Sequence, residues 1–512
     1  MRSTIKIVIL LFFICTSMSG ASFPDMEKYM RQHALIWEQL PMQWNEGAFL
    51  GNGLVGMMVY ADSTLNALVF HLGRPDVTDH RKAPYRKTSI GTEEADKMVD
   101  FCRLDVGKML LFPEGKILSG TFYLDIYNAE LTGHLKTDKG DLTFHAYTPQ
   151  PEEVNIVEVS SGVPYRWKGI PGNPCSPRIR VFPHLKEKLK YKDNPAPVVD
   201  QKDKEGSWVQ SLLAGGDYAT YWKEVPGGKS RSVLYVSTAN EVPASSLSLA
   251  KAMKTVEATQ ITGTKLLKQK TRQWWNAYHE RSFLSIPDKK LENFYFIQMY
   301  KLATCSHPDG PAMDVMGTFF KLSPWPSFWW NLNIQLTYMP IGPANRMEQG
   351  KNFQRLMDEV FPSLVRSIEP CKIGDYTWAL QNYYMYLRYA GADWQDIKQQ
   401  VVPKALDAFA VFDKILCYKE NTWHLTHIES PEYEGFQKYN DSNYGLASLS
   451  WLLQTLIACH DRTSSTHPDY ARWKEILTRL VPYPTNENGL MIAANKPLEK
   501  SHRHYSHLLA FY

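Results

Sequence analysis

The sequence predicts a multidomain protein with an N-terminal β-sandwich followed by a barrel of helix hairpins. The chain has 512 residues, of which 44% are hydrophobic and 21% charged, and this length exceeds what one hydrophobic core usually supports. From about residue 37 to 238, short runs of β-branched and aromatic residues alternate with Gly, Pro, Asn and Asp turns, which is typical of a sandwich. Beyond residue 243 the hydrophobic spacing is that of amphipathic helices.

Residues 1–21 are predicted to be a signal peptide. Arg2 and Lys6 precede an apolar run over 7–15, and small residues follow at 19–21, which is the pattern of an export signal. The apolar run is too short to span a bilayer, and no later segment reaches the necessary length. We therefore expect a secreted or periplasmic protein without a membrane span.

The sandwich domain is expected over residues 22–242. Its clearest strands are four stretches rich in β-branched and aromatic residues, at 122–127, 141–147, 155–159 and 232–237. The first two are expected to be joined across a turn at 137–140. The Lys-rich stretch 185–206 is expected to be a solvated loop.

A helical linker is predicted over 243–286, and the helical barrel over 287–512. Amphipathic spacing places the barrel helices at 289–303, 348–368, 376–390, 394–414, 443–460 and 468–480. Long loops rich in Trp, Pro, Asn and Asp separate these helices. Helices that carry such loops indicate a barrel of hairpins with its site at one rim.

The charge limits the possible binding partners, and the spacing of the cysteines limits the possible disulfides. The net charge is +4 and no basic run is interleaved with aromatic residues, so nucleic acid is not an expected partner. The 7 cysteines are widely scattered without paired spacing, which favours buried thiols over a disulfide framework.

A glycine-rich segment at 51–56 matches the dinucleotide-binding pattern Gly-x-Gly-x-x-Gly. That pattern has meaning only between a strand and a helix, whereas the residues that follow, 57–60, resemble a strand. We interpret these glycines as turn and close-packing residues. No cofactor is predicted.

The segment 325–335 is the densest cluster of aromatic and amide side chains. Asn331 and Asn333 are two residues apart, so an extended backbone would direct both amides to one point. There they could hold a water molecule or sugar hydroxyls, although an amide cannot itself remove a proton from water. The alternative is a loop whose Asn side chains cap a following helix.

Three carboxylates, Glu429, Glu432 and Glu434, lie between two predicted helices. Desolvation beside Tyr and Pro residues would keep a Glu protonated, so that it could donate a proton to a departing oxygen. The alternative is a solvated loop, and the pattern does not rank the three glutamates.

Near the end of the sequence, residues 502–507 combine three histidines with Arg503. Arginine among the imidazoles opposes a cation, and no carboxylate at a fitting spacing completes a metal-ligand set. We therefore prefer the binding of sugar hydroxyls to a metal site.

These three segments resemble the catalytic part of glycoside hydrolase family 95, whose activities include α-L-fucosidase and α-L-galactosidase. The matching motifs are Asn-x-Asn-x-Gln at 331–335, Ser-Pro-Glu at 430–432 and His-Arg-His-x-Ser-His-Leu at 502–508. Residues 37–53 are similar to the opening segment of the family. The resemblance implies a β-sandwich, a helical linker and an (α/α)6 six-hairpin barrel that cleaves a terminal α-L-fucosyl or α-L-galactosyl residue with inversion.

The resemblance also implies roles for individual residues. Glu432 would be the general acid, while Asn331 and Asn333 would position the attacking water. Arg503 and His504 would bind the sugar, and Trp378 would stack on its ring. Trp329 stands where the fucosidases have a histidine, and we expect it to bind the substrate as well. Inversion implies two carboxyl groups about 6.5 to 9.5 Å apart.

The general base is the largest departure from the family. Its Asp lies in an Asp-Gly-Asn-Phe-Gly-like stretch beyond the histidine-rich motif, and the 512 residues contain no such stretch. We therefore expect a barrel truncated at its C-terminal side, or a variant that uses Asp314, Asp375 or Asp441 instead. Alternative functions are a non-catalytic sugar-binding remnant, a related disaccharide phosphorylase and a structural surface protein.

Overall fold

The computed structural model of the chain describes residues 25–79, 102–241, 247–326, 331–435 and 437–511. The predicted signal peptide, Trp329 and residues 242–246 at the predicted end of the sandwich lie outside these ranges. The domain limits at 242 and 286 therefore stay predictions.

Two antiparallel sheets form the N-terminal part of the protein. In order across the nine-stranded sheet, the strands are Leu35–Trp37, Ile117–Asp125, Glu130–Thr137, Asp141–Tyr147, Val154–Ser161, Arg231–Glu241, Asp217–Pro226, Glu205–Ser211 and Val198–Gln201. The five-stranded sheet contains Tyr165–Ile170, Lys108–Pro113, Ala67–Gly73, Gly56–Asp62 and Ala48–Gly51. Short helices at Met26–Met30, Pro177–Val181 and Leu185–Lys188 and 3-10 turns at Arg31–His33 and Trp44–Glu46 accompany the strands.

Alternating side chains from both sheets meet in one core. Phe70 of the smaller sheet contacts Phe144 of the larger one, with ring centroids 5.5 Å apart at 76°, and Phe144 also meets Phe122 edge to face. These rings are buried, as expected for the inward positions of two facing sheets. The predicted β-sandwich is therefore confirmed.

The strand predictions hold where apolar and polar side chains alternate clearly along the sequence. The strand Asp141–Tyr147 has its predicted bounds, and the stretches 155–159 and 232–237 lie inside longer strands. The predicted hairpin from 122–127 to 141–147 is wrong, because the strand Glu130–Thr137 lies between them and pairs with both. The predicted loop 185–206 is also wrong in part, since it contains the helix Leu185–Lys188 and the strand Val198–Gln201.

The glycines of the segment 51–56 form a turn between two paired strands, as predicted. Gly53 has a φ of 82°, and a Cβ at this position would lie 2.4 Å from the carbonyl carbon of Ser306. Only glycine fits both constraints without strain.

Two helices, Ser248–Thr262 and Thr264–His279, follow the sandwich. The first covers the outer face of the larger sheet, where Ala252 and Val256 pack on Ile156 and Tyr235. The second contributes Trp275 to the sandwich core. The predicted linker is thus helical and is packed against the sheets.

The rest of the protein is mainly helical. Its helices are Lys289–Cys305, Asn333–Tyr338, Lys351–Glu359, Phe361–Ser367, Ile373–Tyr389, Trp394–Gln400, Val402–Phe412, Asn443–Thr463 and Tyr470–Thr478, with 3-10 turns at Met347–Gly350, Pro370–Lys372 and Ser506–Phe511. Short hairpins pair Leu416–Lys419 with Thr422–Leu425, Ile428–Glu429 with Lys438–Tyr439, and Thr485–Asn486 with Gly489–Leu490.

The helix predictions are confirmed in type but not always in length. The helices expected at 348–368 and 394–414 are each divided, and a proline stands near the start of the second piece, at Pro362 and Pro403. Proline lacks the amide hydrogen and clashes with the preceding turn, so it starts a helix more readily than it continues one. The helices share a second core, built around Leu380, Phe412 and Leu449.

No helix among the described residues is long and apolar enough to cross a membrane. The cysteines of the described ranges form no disulfide: Cys102, Cys371 and Cys459 are buried, whereas Cys417 is exposed. Buried thiols were expected, which holds for three of these cysteines, whereas Cys175 and Cys305 are partly buried and Cys417 is exposed.

Candidate active site

The paired asparagines do not lie on an extended backbone, so that prediction is wrong. Leu332 has a φ of 56° and a helix begins at Asn333, so the two side chains leave the backbone on either side of a sharp turn. Asn333 is exposed and Asn331 is half-buried. Asn331 does not cap the helix through its side chain. Its Nδ2 instead donates to Oδ1 of Asp375 at 2.8 Å.

Asp375 lies in the first turn of the helix Ile373–Tyr389 and is 6% exposed. Its Oδ1 accepts a second hydrogen bond, from the Tyr444 hydroxyl at 2.7 Å. Gly374 permits this approach, because a Cβ there would lie 2.5 Å from the Tyr444 ring. Gln335 Nε2 donates to the Asp375 carbonyl at 2.9 Å and ties the asparagine segment to the same helix.

Two carboxyl groups in this region have raised pKa values. Burial raises the pKa of Asp375 to about 6, against the hydrogen bonds from Asn331 and Tyr444 and the charge of Lys372. Burial, followed by repulsion from Asp375, raises the pKa of Glu429 to about 7. Desolvation and a like charge both disfavour ionisation. Carboxyl groups with pKa values near neutrality are suited to acid and base chemistry.

Glu432 is held by the histidine-rich segment. Its Oε2 accepts hydrogen bonds from Arg503 Nε at 2.9 Å and Nη2 at 2.5 Å, and His504 Nε2 lies 2.9 Å from the same oxygen. Glu432 has a φ of 56°, a left-handed conformation that is uncommon for a non-glycine residue and often occurs at functional sites. The structure therefore joins two of the motifs that the sequence separates by 71 residues.

The three histidines of this segment are close together and partly desolvated. The His502 ring lies 5.8 Å from His504 and 6.4 Å from His507, measured between centroids. Burial lowers the pKa of all three, and for His504 it outweighs the attraction of Glu432. Neutral imidazoles can each donate and accept one hydrogen bond, which suits hydroxyl groups.

Several buried polar atoms near these histidines have no hydrogen-bond partner within the described ranges. They are His502 Nε2, His504 Nδ1, His507 Nδ1, Ser506 Oγ and Ser430 Oγ. Unsatisfied buried polar atoms are rare and costly in folded proteins. A cluster of them is consistent with a polar site that binds hydroxyl groups or water.

Trp378 packs beside Asp375 rather than at an open surface. It is 2% exposed and belongs to a small core with Tyr444, Ala447 and Leu509, and its ring meets that of Tyr444 at 76°. Its predicted role of stacking on a sugar ring gains no support from this packing. Leu509 follows the histidine-rich motif, so this core brings that segment against the helices that carry Asp375 and Tyr444.

The other two candidate bases have structural partners. Asp314 pairs with buried Arg103 at 3.1 Å. Asp441 accepts from the Leu425 amide and lies 2.8 Å from His424 Nδ1. Neither aspartate contacts a residue of the three motifs in these interactions. In the part of the chain that the structure describes, no group of three His, Cys, Asp or Glu side chains is arranged to hold a metal ion.

The fold is similar to that of known sugar-active enzymes. A protein assigned as a kojibiose phosphorylase from the human microbiome matches with a TM-score of 0.55 and 9% identity, over 86% of this chain and 66% of that chain. This likeness and the observed elements confirm the predicted fold class, a β-sandwich followed by a helical barrel domain of the six-hairpin type. The chain thus spans about two thirds of that protein's length.

Two further structures match with lower scores. A bacterial glucoamylase in complex with acarbose has a TM-score of 0.47 and 10% identity, over 87% of this chain and 69% of its own. A family GH92 α-mannosidase from Bacteroides thetaiotaomicron in complex with mannoimidazole has a TM-score of 0.38 and 8% identity, over 84% and 61%. No protein-family model and no curated protein matches the sequence.

Sequence reasoning missed two groups at this site. Tyr444 was not considered, although it stands two residues after Ser442, whose side chain caps the helix Asn443–Thr463. Glu429 was named but not distinguished from Glu432 and Glu434. Burial separates them: Glu429 is desolvated, whereas Glu434 pairs with Lys496 and Lys500. No feature of the sequence reports that difference.

Proposed function

We propose that this protein is an inverting exo-glycoside hydrolase that releases terminal α-L-fucosyl or α-L-galactosyl-like residues from oligosaccharides or polysaccharides. In this proposal Glu432 protonates the departing oxygen, and Asn331 with Asn333 positions the attacking water. Arg503 and His504 bind the sugar, and Trp329 contributes to the substrate site. Trp378, which is buried against Tyr444, acts only by supporting the site. The predicted signal peptide supports a site of action outside the cytoplasm.

One observation carries the proposal: each motif that resembles family 95 has a polar partner from another motif or from an adjacent helix. Glu432 contacts Arg503 and His504, and Asn331 contacts Asp375. Two of these partners, His504 and Asp375, are buried, unlike the partners of a solvated loop. Oriented acids and amides are what hydrolysis by a bound water requires.

The contacts of Glu432 also show how an acid could be fixed in place. Arg503 and His504 both approach Oε2, so Oε1 is the oxygen that would carry the proton. The Arg503 side chain is 79% exposed, so a sugar could displace it from the carboxylate. Substrate binding would then free Glu432 and engage the guanidinium with hydroxyl groups.

The test is the substitution Glu432→Gln in the full chain, assayed on unactivated fucosides and galactosides. We expect kcat to fall by about 10²- to 10⁴-fold, while sugar binding measured by calorimetry changes little. Glu434→Gln is the matched control, because Glu434 lies on the same loop as Glu432 but pairs with Lys496 and Lys500. Unchanged turnover in Glu432→Gln would remove Glu432 from its proposed role.

A non-catalytic sugar-binding protein is the second candidate, favoured by the occupation of Glu432 Oε2 by Arg503 and His504. Calorimetry with L-fucose or L-galactose beside a release assay distinguishes the two functions. Heat without product supports binding alone. Turnover that depends on inorganic phosphate would instead indicate a phosphorylase.

A further inference from the structure

We infer that Asp375 is the general base of this site and that its Oδ2 accepts the proton of the water positioned by Asn331. The inference rests on the proposed function and adds a catalytic residue to it. It depends on the contacts of the Asp375 carboxyl group, on its burial and on the partners of the rival carboxylates.

The two oxygens of Asp375 are not equivalent. Asn331 Nδ2 and the Tyr444 hydroxyl both donate to Oδ1. Among the described residues, Oδ2 receives no hydrogen bond, and it is absent from the fully buried unpaired polar atoms. One oxygen is therefore used to fix the carboxyl group, and the other keeps its lone pairs for a proton.

The contact with Asn331 also orients the amide. Because Nδ2 donates to Asp375 Oδ1, the carbonyl oxygen of Asn331 is the part of the amide that remains as an acceptor. A water molecule could donate one hydrogen to this carbonyl and its second hydrogen to Asp375 Oδ2. Its oxygen lone pair would then face the anomeric carbon.

The chemical step balances as a hydrolysis. Water forms a bond from its oxygen to the anomeric carbon and loses one proton to Asp375. The bond from that carbon to the glycosidic oxygen breaks, and Glu432 gives its proton to the departing oxygen. Proton exchange with solvent returns Asp375 to its ionised form and Glu432 to its acid form.

The charged groups around Asp375 fit a base. Lys372 favours its ionised form, whereas burial, the largest influence, opposes it. A base whose pKa lies near neutrality is ionised at neutral pH and still binds a proton strongly enough to take it from water. Asp314 and Asp441 are instead engaged with Arg103 and with the Leu425 amide.

The experiment compares Asp375→Asn with Glu432→Gln on a glycoside that the wild-type protein cleaves and on the fluoride of the same sugar. Fluoride leaves without a proton, so Glu432→Gln should recover activity on the glycosyl fluoride. Asp375→Asn should stay slow on both substrates, with kcat reduced about 10²- to 10⁴-fold and KM little changed.

Sodium azide provides the decisive readout. Azide is already an anion and needs no base, so it should restore turnover of Asp375→Asn and yield the inverted glycosyl azide. Asp441→Asn is the matched control, because it makes the same chemical change at another buried aspartate. Asp441 accepts a hydrogen bond from the Leu425 amide and lies beside His424 Nδ1. This variant should show no dependence on azide.

The outcomes separate the inference from the proposed function. If Asp375→Asn keeps more than one tenth of the wild-type kcat, or if its loss is not restored by azide, Asp375 is not the base. If azide rescues Asp441→Asn instead, the base is Asp441. A wild-type protein that releases no sugar overturns the proposed function, and the inference with it.

Discussion

Two clusters of charged residues in this protein use burial in opposite ways. The first joins the larger sheet to the helix Thr264–His279. There Glu130 accepts two hydrogen bonds from Arg272 and lies 2.8 Å from His145 Nε2. Burial alone would raise the pKa of Glu130, but these two partners lower it to about 2. Every charge at this junction has an opposite neighbour.

The second cluster surrounds Asp375. Its hydrogen-bond donors, Asn331 and Tyr444, are neutral, and the charge of Lys372 offsets its burial only in part. Burial is therefore not fully compensated, and the pKa of Asp375 rises to about 6. The difference indicates that the first cluster stabilises the fold, whereas the second holds a carboxyl group with a pKa near neutrality at some expense of stability.

The largest expected effect on stability is a gain from Asp375→Asn. The wild-type carboxyl group has a pKa of about 6 in the folded protein, so the folded state binds more protons than the unfolded state below that pH. Stability therefore falls as pH rises through about 4 to 6. Above pH 6 the variant, which lacks this penalty, should be more stable by about 2 to 3 kcal/mol.

Urea denaturation of both proteins at pH 4 and pH 8 measures this gain. The variant should gain stability relative to wild type only at the higher pH. If wild type and variant have the same free energy of unfolding at pH 4 and also at pH 8, Asp375 is neutral or well solvated in the folded protein. The same measurement shows whether a loss of activity in Asp375→Asn reflects unfolding.

A smaller effect of opposite sign is expected for Glu130→Gln. The pKa of Glu130 is lowered in the folded protein, so its contribution to stability is present above about pH 4.5 and is lost as pH falls towards 2. Because Arg272 is half exposed, we expect a loss of about 1 to 2 kcal/mol at pH 7. Denaturation at pH 7 checks this value, and turnover should be unchanged.

The smallest effect concerns Glu429→Gln. The pKa of Glu429 is about 7 and that of Asp375 about 6, so Glu429 is mostly protonated where Asp375 ionises. Its removal should therefore leave the acidic limb of kcat/KM in place. Activity should rise through the pKa of Asp375, because only the ionised form accepts a proton. An acidic limb that moves to lower pH in Glu429→Gln would show instead that an ionised Glu429 repels Asp375.

The fold was largely predictable because strand and helix periods are local. The strand Asp141–Tyr147 was predicted with its observed bounds, since its apolar and polar side chains alternate. The strand Glu130–Thr137 was missed, although its Leu131 and Leu135 face the core. Its lysine, glycine and threonine residues resemble a turn region, and only its pairing with two neighbours reveals a strand.

The candidate site was predictable in composition but not in geometry. The amide, carboxyl and imidazole side chains were named from three motifs. The extended Asn331 and Asn333 backbone was wrong, because Leu332 adopts a left-handed conformation and a helix starts directly after it. Asp375 was one of three possible bases, and only its contact with Asn331, 44 residues away in sequence, distinguishes it.

By itself the sequence determined which chemical groups are available and the order of strands and helices. Side-chain identity belongs to each residue, and the hydrophobic period is set by residues that are close in sequence. The tertiary structure decided which carboxyl group is paired and which is desolvated. That outcome depends on burial and on contacts such as Glu432 with Arg503, 71 residues apart. Such contacts arise only when distant segments pack together, and they set the charge state of each group.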